Sequence, residues 1–210
     1  MTNSTNSSDA AITSSNILKI HFKDWWRNRH GELLDTTTSK VIYTSEHRWS
    51  NPTFALCRPA EQETETGINS TVATGTRGFC ARTFTFAIAG NEVELAPRRK
   101  LFGGNVIYSS PAYSGRQLSW ESEGRWMSIR YVCMDENGET IAQLKLGGNK
   151  LGWGRLRGEM EFVEDMVQTE AQREELAAGG LCLAYRAVMS RRILAGAMST
   201  VPGGMVPAYS

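Results

Sequence analysis

The amino-acid sequence predicts a mainly β protein of α+β type, in which about twelve antiparallel strands close into a barrel around one hydrophobic C-terminal α-helix. Apolar and polar residues alternate with a period of two from residue 17 to about residue 163, and turn sequences separate the alternating runs. Residues 176–185 are then apolar without interruption, which is typical of a helix surrounded by protein. A closed sheet of this size leaves an interior that strand side chains do not fill, so the helix is expected to occupy it.

The composition is that of one folded domain. The chain has 210 residues, 40% of them hydrophobic, with 23 basic and 22 acidic residues. The hydrophobic fraction excludes disorder throughout, and the balanced charge excludes a bulk attraction to nucleic acid. We expect a monomer with a disordered leader over residues 1–16, a single barrel domain over residues 17–198 and a disordered tail over residues 199–210.

The leader and the cysteines indicate a cytoplasmic protein. The first sixteen residues have neither the basic segment nor the apolar segment of a secretory signal. The four cysteines are widely separated and lack the paired spacing of a zinc site, so we expect buried free thiols at Cys57, Cys80, Cys133 and Cys182.

The first four strands are predicted from the alternation of apolar and polar residues. In "ILKIHFKDW", Leu18, Ile20 and Phe22 share one face, and "NRHG" then turns the chain into "ELLDT". The runs "SKVIYTS" and "NPTFALCR" are the next two strands. The polar run "AEQETETGINS" at residues 60–70 is predicted to be a loop, and no strand is predicted directly after it.

The later strands form hairpins. "FTFAIAGNEVEL" reads as two strands joined by a turn at "AGN", and "GGNVIYSS" and "RQLSWES" are shorter strands. "RWMSIRYVCMDENGETIAQLKL" is a second hairpin, whose "DENG" sequence suits a tight turn, and "RLRGEMEFV" ends the series.

The helix is predicted to begin at Thr169, which forms a capping-box pattern with Gln172. Gly179 and Gly180 each cost about 1 kcal/mol of helix propensity relative to alanine, and we expect close approach of the strands to offset this. A membrane span needs roughly 20 apolar residues, and the run is too short for one because Arg186 follows it closely.

The sequence resembles small fungal proteins of the tubby C-terminal-like group. The resemblance covers residues 17–192 and is carried by "LKIHFKDWW", "HGELLD", "LSWESEGRWMSIRYVCMDENGETIAQL", "RLRGEMEFV" and the helix "ELAAGGLCLAYRAVMSRR". It implies a barrel of about twelve strands around a hydrophobic C-terminal helix, the architecture of tubby domains, phospholipid scramblases and LURP-one-related proteins. The calcium-binding segment and clustered cysteines of scramblases have no counterpart, so lipid scrambling is not implied.

The resemblance also implies a function, because tubby domains bind phosphoinositide head groups through basic residues on the barrel exterior and many act as adaptors. We therefore expect a non-enzymatic protein that binds anionic membrane lipids peripherally, with a protein partner as adaptor. Two alternatives stay open. The barrel can hold a small molecule, as a carrier or an enzyme, in which case the helix lies outside it, or the protein can be an interaction module without a lipid role.

The candidate anion-binding residues are Arg98, Arg99 and Lys100, which follow a predicted strand and can present three cations to a phosphate. The alternative is a solvated charge run beside a turn. Arg191 and Arg192 are further candidates, although they also complement the C-terminal end of the helix dipole.

No catalytic residue, metal site or cofactor is expected. The three histidines lack metal-binding spacing, and the chain contains neither a nucleophile elbow nor a phosphate-binding loop.

A chain truncated at Glu175 is expected to be insoluble or unfolded, because it lacks the helix that is predicted to fill the barrel. Circular dichroism and thermal unfolding of the truncated and full chains measure this. A soluble truncated chain that unfolds cooperatively would show that the helix does not form the core.

Overall fold

Twelve strands and one long helix make up the described part of the computed structural model, which covers residues 16–23, 30–47, 53–59, 70–77, 83–97, 105–123, 128–147 and 157–199. Side chains of the helix are described up to Ala187. The strands are β1 Ile17–Lys23, β2 His30–Asp35, β3 Val41–His47, β4 Phe54–Arg58, β5 Ser70–Arg77, β6 Phe84–Ile88, β7 Asn91–Pro97, β8 Val106–Ser110, β9 Arg116–Glu123, β10 Ser128–Met134, β11 Thr140–Gly147 and β12 Arg157–Phe162. A 3-10 turn, Pro111–Tyr113, joins β8 to β9, and the helix α1 spans Glu170–Ser199.

The strands form one closed antiparallel barrel, which confirms the predicted fold class. Each strand pairs with the strands before and after it in sequence, and β1 pairs with β12 to close the sheet. At this closure Ile17 lies opposite Glu161 and His21 lies opposite Arg157.

The helix α1 runs through the barrel, as the apolar sequence of residues 176–185 predicts. Leu176, Leu181, Cys182 and Ala184 are completely buried, although they point to different sides of the helix. The helix contacts β5 and β6 as well as β11 and β12, which lie far apart around the barrel. Only enclosure by the sheet buries a helix on all sides in this way, so α1 forms the centre of the core.

Because side chains alternate between the two sides of each strand, one face of every strand points towards this helix. Buried aliphatic and aromatic side chains of every strand point inward and, with α1, form one continuous core. Trp120 of β9 is fully buried inside the barrel, as is Tyr43 of β3. The predicted free thiols are present and buried at Cys57, Cys133 and Cys182, while Cys80 lies outside the described residues.

The twin glycines have different roles. A Cβ atom on Gly180 would lie 2.1 Å from Cε of Met160 and 3.7 Å from Cδ2 of Leu144, so β12 packs directly on the helix backbone. This is the close approach that the sequence predicts. A Cβ atom on Gly179 would have Nε1 of Trp120 as its nearest contact, at the ordinary distance of 3.4 Å, so a methyl group would fit there.

The start of α1 is fixed by the predicted capping box. The Thr169 hydroxyl accepts a hydrogen bond from the amide N of Gln172 at 3.2 Å, and Oε1 of Gln172 accepts from the amide N of Thr169 at 3.1 Å. The same oxygen accepts from the amide N of Gln168 at 2.9 Å. These bonds satisfy amide groups that a helix start otherwise leaves without partners.

Strand β5 is absent from the sequence prediction because its inner face carries small residues. Ala73 and Gly75 point into the barrel, whereas the pattern rules for strands require large apolar residues at such positions. Phe54 lies opposite Gly75 in the neighbouring strand, and its ring covers the glycine. The large residue that β5 lacks is therefore supplied by β4.

Replacing Gly75 by alanine is expected to lower the free energy of unfolding by about 1–3 kcal/mol, because overpacking a core forces side chains to move. The new Cβ would fall 1.8 Å from Cε1 of the buried Phe54 ring. Urea unfolding followed by tryptophan fluorescence measures the change.

The matched control is Gly147→Ala in β11, where a Cβ would have no atom within 4 Å. Equal midpoints for the two variants would show that the contact between Phe54 and Gly75 does not limit the packing of β5.

Candidate functional site

The alternating strand directions place the chain connections at two opposite ends of the barrel. The helix-start end contains the connections that follow β2, β4, β6, β8 and β10, together with residues 163–169 before α1. The odd-numbered strands end at the helix-exit end, among them β7 at Pro97 and β9 at Glu123. Contact between the Tyr185 and Phe84 rings, with centroids 6.2 Å apart, shows that α1 runs from the first end towards the second.

The helix-start end is acidic. Five exposed carboxylates belong to its described turns and to the first residue of the helix: Glu136, Glu139, Glu164, Asp165 and Glu170. Three exposed cations lie at the same end: Lys40, Arg58 and Arg116. The described residues therefore give this end an excess of negative charge.

Arg58 forms ion pairs with the first turns of the helix. Its guanidinium lies 2.6 Å from Oε1 of Glu174 and 3.8 Å from Oε1 of Glu170. The Tyr43 hydroxyl donates a hydrogen bond to Glu170, and burial together with this contact raises the pKa of Tyr43. The first helical turn is therefore joined to β3 and β4, and Arg58 is not available as an isolated anion-binding cation.

A cleft of about 180 Å³ opens at the same end, beside the 3-10 turn. Its floor is apolar and includes Leu118, Ile141 and Met166, and its rim carries Arg116 and Asp165. The Tyr113 hydroxyl, also in the lining, donates a hydrogen bond to the carbonyl oxygen of Met166 at 3.0 Å. The lining of the cleft is therefore partly apolar and partly polar.

Asp135 organises the turn between β10 and β11. Its Oδ1 accepts hydrogen bonds from the amide N atoms of Asn137 and Glu139, both at 2.9 Å. These bonds favour the charged carboxylate and hold its pKa below the usual range, the bond from Glu139 being the largest contribution. Gly138 supplies the positive φ, 84°, that the turn requires.

Two cations on the outer surface of strands β10 and β11 are paired with acceptors. Nη1 of Arg130 lies 3.2 Å from Oε2 of Glu123, and its Nη2 donates to Oε1 of Gln143 at 2.7 Å. Nζ of Lys145 lies 3.5 Å from Oε2 of Glu161. Exposed pairs of this kind contribute little to stability, but they divide the surface into small areas of alternating charge. This part of the barrel is therefore a poor anion-binding surface.

The structure does not describe the side chains of the anion-binding residues that the sequence predicts. Arg98, Arg99 and Lys100 are outside the described residues, and the strand before them, β7, ends at Pro97 at the helix-exit end. Arg191 and Arg192 belong to the C-terminal part of α1, where side chains are not described. Their binding role stays a prediction.

Sequence reasoning did not identify Glu175 as a special residue, yet its carboxyl group lies inside the barrel with 1% exposure. Its Oε2 accepts a hydrogen bond from the amide N of Ala112 at 2.9 Å. Burial raises the pKa of Glu175, while the Ser110 hydroxyl, the Ala112 amide and the Tyr108 hydroxyl oppose this rise. The signal was present in the sequence: two adjacent glutamates precede a run that is buried on all sides, so one of them has to point inward.

Among the described residues, no helix is both long and apolar enough to cross a membrane. No three of their histidine, cysteine, aspartate and glutamate side chains are grouped as a metal site requires.

Comparison of the chain with protein-family models, with curated proteins and with solved structures finds no match.

Asp135→Asn is expected to lower the thermal unfolding midpoint at pH 7, and its effect is expected to decrease as the pH falls below about 4. A carboxylate whose pKa is lowered by folding stabilises the protein above its unfolded pKa of about 3.9 and loses this contribution as pH falls through the folded value. Calorimetry across this pH range measures the difference.

The control is Glu136→Gln, which removes an exposed carboxylate from the same turn. A midpoint difference between Asp135→Asn and the parent chain that does not change with pH would contradict the role given to the Asp135 charge.

Proposed function

We propose that this protein is a non-enzymatic, cytoplasmic binding module of the tubby C-terminal-like type, which binds anionic lipid head groups with the helix-exit end of its barrel. The observation that carries the proposal is the helix in the barrel interior, where Leu176, Leu181 and Ala184 are completely buried. A carrier or enzyme with a ligand in the lumen requires this helix to lie outside. With the interior occupied, binding takes place on the exterior, as the resemblance to tubby domains implies.

The charge of the two ends supports one orientation towards a membrane. The helix-start end carries an excess of exposed carboxylates, including Glu136, Glu139 and Glu164, which an anionic surface repels. The helix-exit end is therefore the end that faces the lipid.

The sequence between the strands at the helix-exit end has the composition that such a surface requires. Six segments outside the described residues connect strands there: 24–29, 48–52, 78–82, 98–104, 124–127 and 148–156. They contain one acidic residue, Asp24, and ten basic residues: Arg27, Arg29, Arg48, Arg82, Arg98, Arg99, Lys100, Arg125, Lys150 and Arg155. Basic residues near an anionic membrane each contribute about 1 kcal/mol of binding free energy.

Tryptophan has the same distribution. Five of the six tryptophans belong to these segments: Trp25, Trp26, Trp49, Trp126 and Trp153. Tryptophan favours the interface between membrane and water because its ring is apolar and its N–H is polar. Basic and aromatic residues interleaved in this way favour a lipid surface over a bare phosphate.

The helix-start end supports an additional role as an adaptor. A barrel bound to lipid by its helix-exit end directs the acidic helix-start end and its cleft away from the membrane. Arg116 and Asp165, which are exposed beside the cleft, are then accessible to a protein partner. This second candidate activity is compatible with the first because the two surfaces are at opposite ends.

Sedimentation with liposomes tests the lipid proposal. The full chain is expected to bind phosphatidylcholine vesicles that contain phosphatidylserine or a phosphoinositide and not pure phosphatidylcholine vesicles. Replacing Arg98, Arg99 and Lys100 by glutamine is expected to weaken binding on the order of 100-fold, at about 1 kcal/mol for each cation. Replacing Arg191 and Arg192 in a separate variant tests the second predicted group.

The matched control replaces Lys19, Lys40 and Arg116, three exposed cations outside the helix-exit end, by glutamine. It has the same net charge as the triple variant and is expected to bind normally. Equal retention on anionic and neutral vesicles, or equal weakening in both variants, would refute the proposed surface.

A further inference from the structure

The turn between β10 and β11 contains the only Asn-Gly pair of the chain, Asn137 and Gly138. Both residues are exposed, and Gly138 has a φ of 84°. Glycine has no side chain that hinders the approach of its backbone nitrogen to the side-chain amide of the residue before it. The pair is therefore open to a reaction in which the backbone attacks the asparagine side chain.

This reaction is deamidation. The backbone nitrogen of Gly138 loses its proton and bonds to Cγ of Asn137, the side-chain amide nitrogen leaves as ammonia, and a cyclic succinimide remains. Water then adds to one of the two carbonyl carbons of the ring and opens it. The product is aspartate or isoaspartate, so one neutral amide has been exchanged for one carboxylate and water is the only co-reactant.

The attacking and the leaving nitrogen atoms are both bonded to Asp135. Nδ2 of Asn137, the leaving nitrogen, donates a hydrogen bond to Oδ2 of Asp135 at 3.1 Å. A charged carboxylate only accepts hydrogen bonds, so the group of Asn137 that faces it is the NH2 group. The amide N of Gly138, the attacking nitrogen, donates to the carbonyl oxygen of Asp135 at 3.1 Å.

The backbone of the turn is fixed by the same side chain. Oδ1 of Asp135 accepts hydrogen bonds from the amide N atoms of Asn137 and Glu139, both at 2.9 Å. Ring closure requires the Asn137 amide to rotate and the Gly138 nitrogen to give up its proton, so both nitrogen atoms have to leave their acceptors on Asp135. Bonds to a charged acceptor are stronger than bonds between neutral groups, and the folded turn therefore slows the reaction.

We propose that Asn137 is a site of spontaneous deamidation and that Asp135 restrains the reaction in the folded protein. The Asn-Gly pair supplies the reactivity, and the turn sets its rate. Deamidation places a carboxylate where an N–H donor faced Asp135, and two like charges at this distance repel each other. Modification therefore loosens the turn and adds a negative charge to the helix-start end.

Incubation of the full chain in mildly alkaline buffer, followed by peptide mapping with mass spectrometry, tests the proposal. The folded chain is expected to convert Asn137 about tenfold or more slowly than the same chain unfolded in urea, since a bond to a charged acceptor raises a barrier by that factor. This comparison needs no variant, so it decides the question even where a substitution prevents folding.

Asp135→Asn provides the variant, because it removes the charge that holds the Asn137 amide and creates no second Asn-Gly pair. Its folded form, checked by circular dichroism, is expected to convert Asn137 faster than the folded parent chain. Glu136→Gln removes an exposed carboxylate from the same turn and is expected to react as slowly as the parent.

Asn91 is the control within the same chain. It is exposed in the hairpin between β6 and β7, its Nδ2 donates to the carbonyl oxygen of Ala89 at 3.4 Å, and the bulky Glu92 follows it. It is expected to stay unmodified. Equal conversion of Asn137 in the folded and unfolded chain, no acceleration in folded Asp135→Asn, or conversion of Asn91 as fast as that of Asn137 would overturn the proposal.

Discussion

The structure depends on one constraint: a closed sheet of twelve strands is too wide for its own side chains to fill. Helix α1 resolves this by occupying the interior, and its small residues, such as Ala177, Ala178 and Gly180, allow the strands to pack against its backbone. The burial of Leu176 and Leu181 therefore depends on all strands being closed around them. Because the helix follows every strand in the chain, the core is complete only when the C-terminal segment is in place.

The same constraint leaves the outside of the barrel for the binding that we propose. An interior that contains a helix holds no large ligand, so the exposed ends and outer strand faces are the available surfaces. On the described strand faces, Arg130 pairs with Glu123 and Lys145 pairs with Glu161. The two ends differ in charge: the described residues of the helix-start end are mainly acidic, and the sequence segments between strands at the opposite end are basic and rich in tryptophan. Antiparallel connectivity produces this separation, because successive connections alternate between the two ends.

Polar contacts of the helix are concentrated where it enters the sheet. Tyr43 and Arg58 contact Glu170 and Glu174 in its first turns, and the Glu175 carboxyl group lies against the amide of Ala112. Burying a carboxyl group is costly unless donors surround it. The contacts nevertheless fix the rotation and depth of the helix, because only one position of α1 lets Glu175 reach the 3-10 turn while Gly180 faces Met160.

The sequence by itself determined the fold class, the enclosed helix, its capping box and most of the strands, because each depends on local periodicity or on residues close together in the chain. Strand β5 required the tertiary structure, since Ala73 and Gly75 carry no strand signal until Phe54 from the neighbouring strand is placed over them. The proximity of Glu175 to Tyr108 was also beyond the sequence, because residues 67 positions apart meet only after the barrel closes around the helix. The candidate binding surface could be predicted only in part from the sequence. Composition indicates the basic and aromatic segments, and strand direction alone assigns them to a single end. Local pattern specifies which elements form, whereas closure of the sheet decides which of their side chains meet.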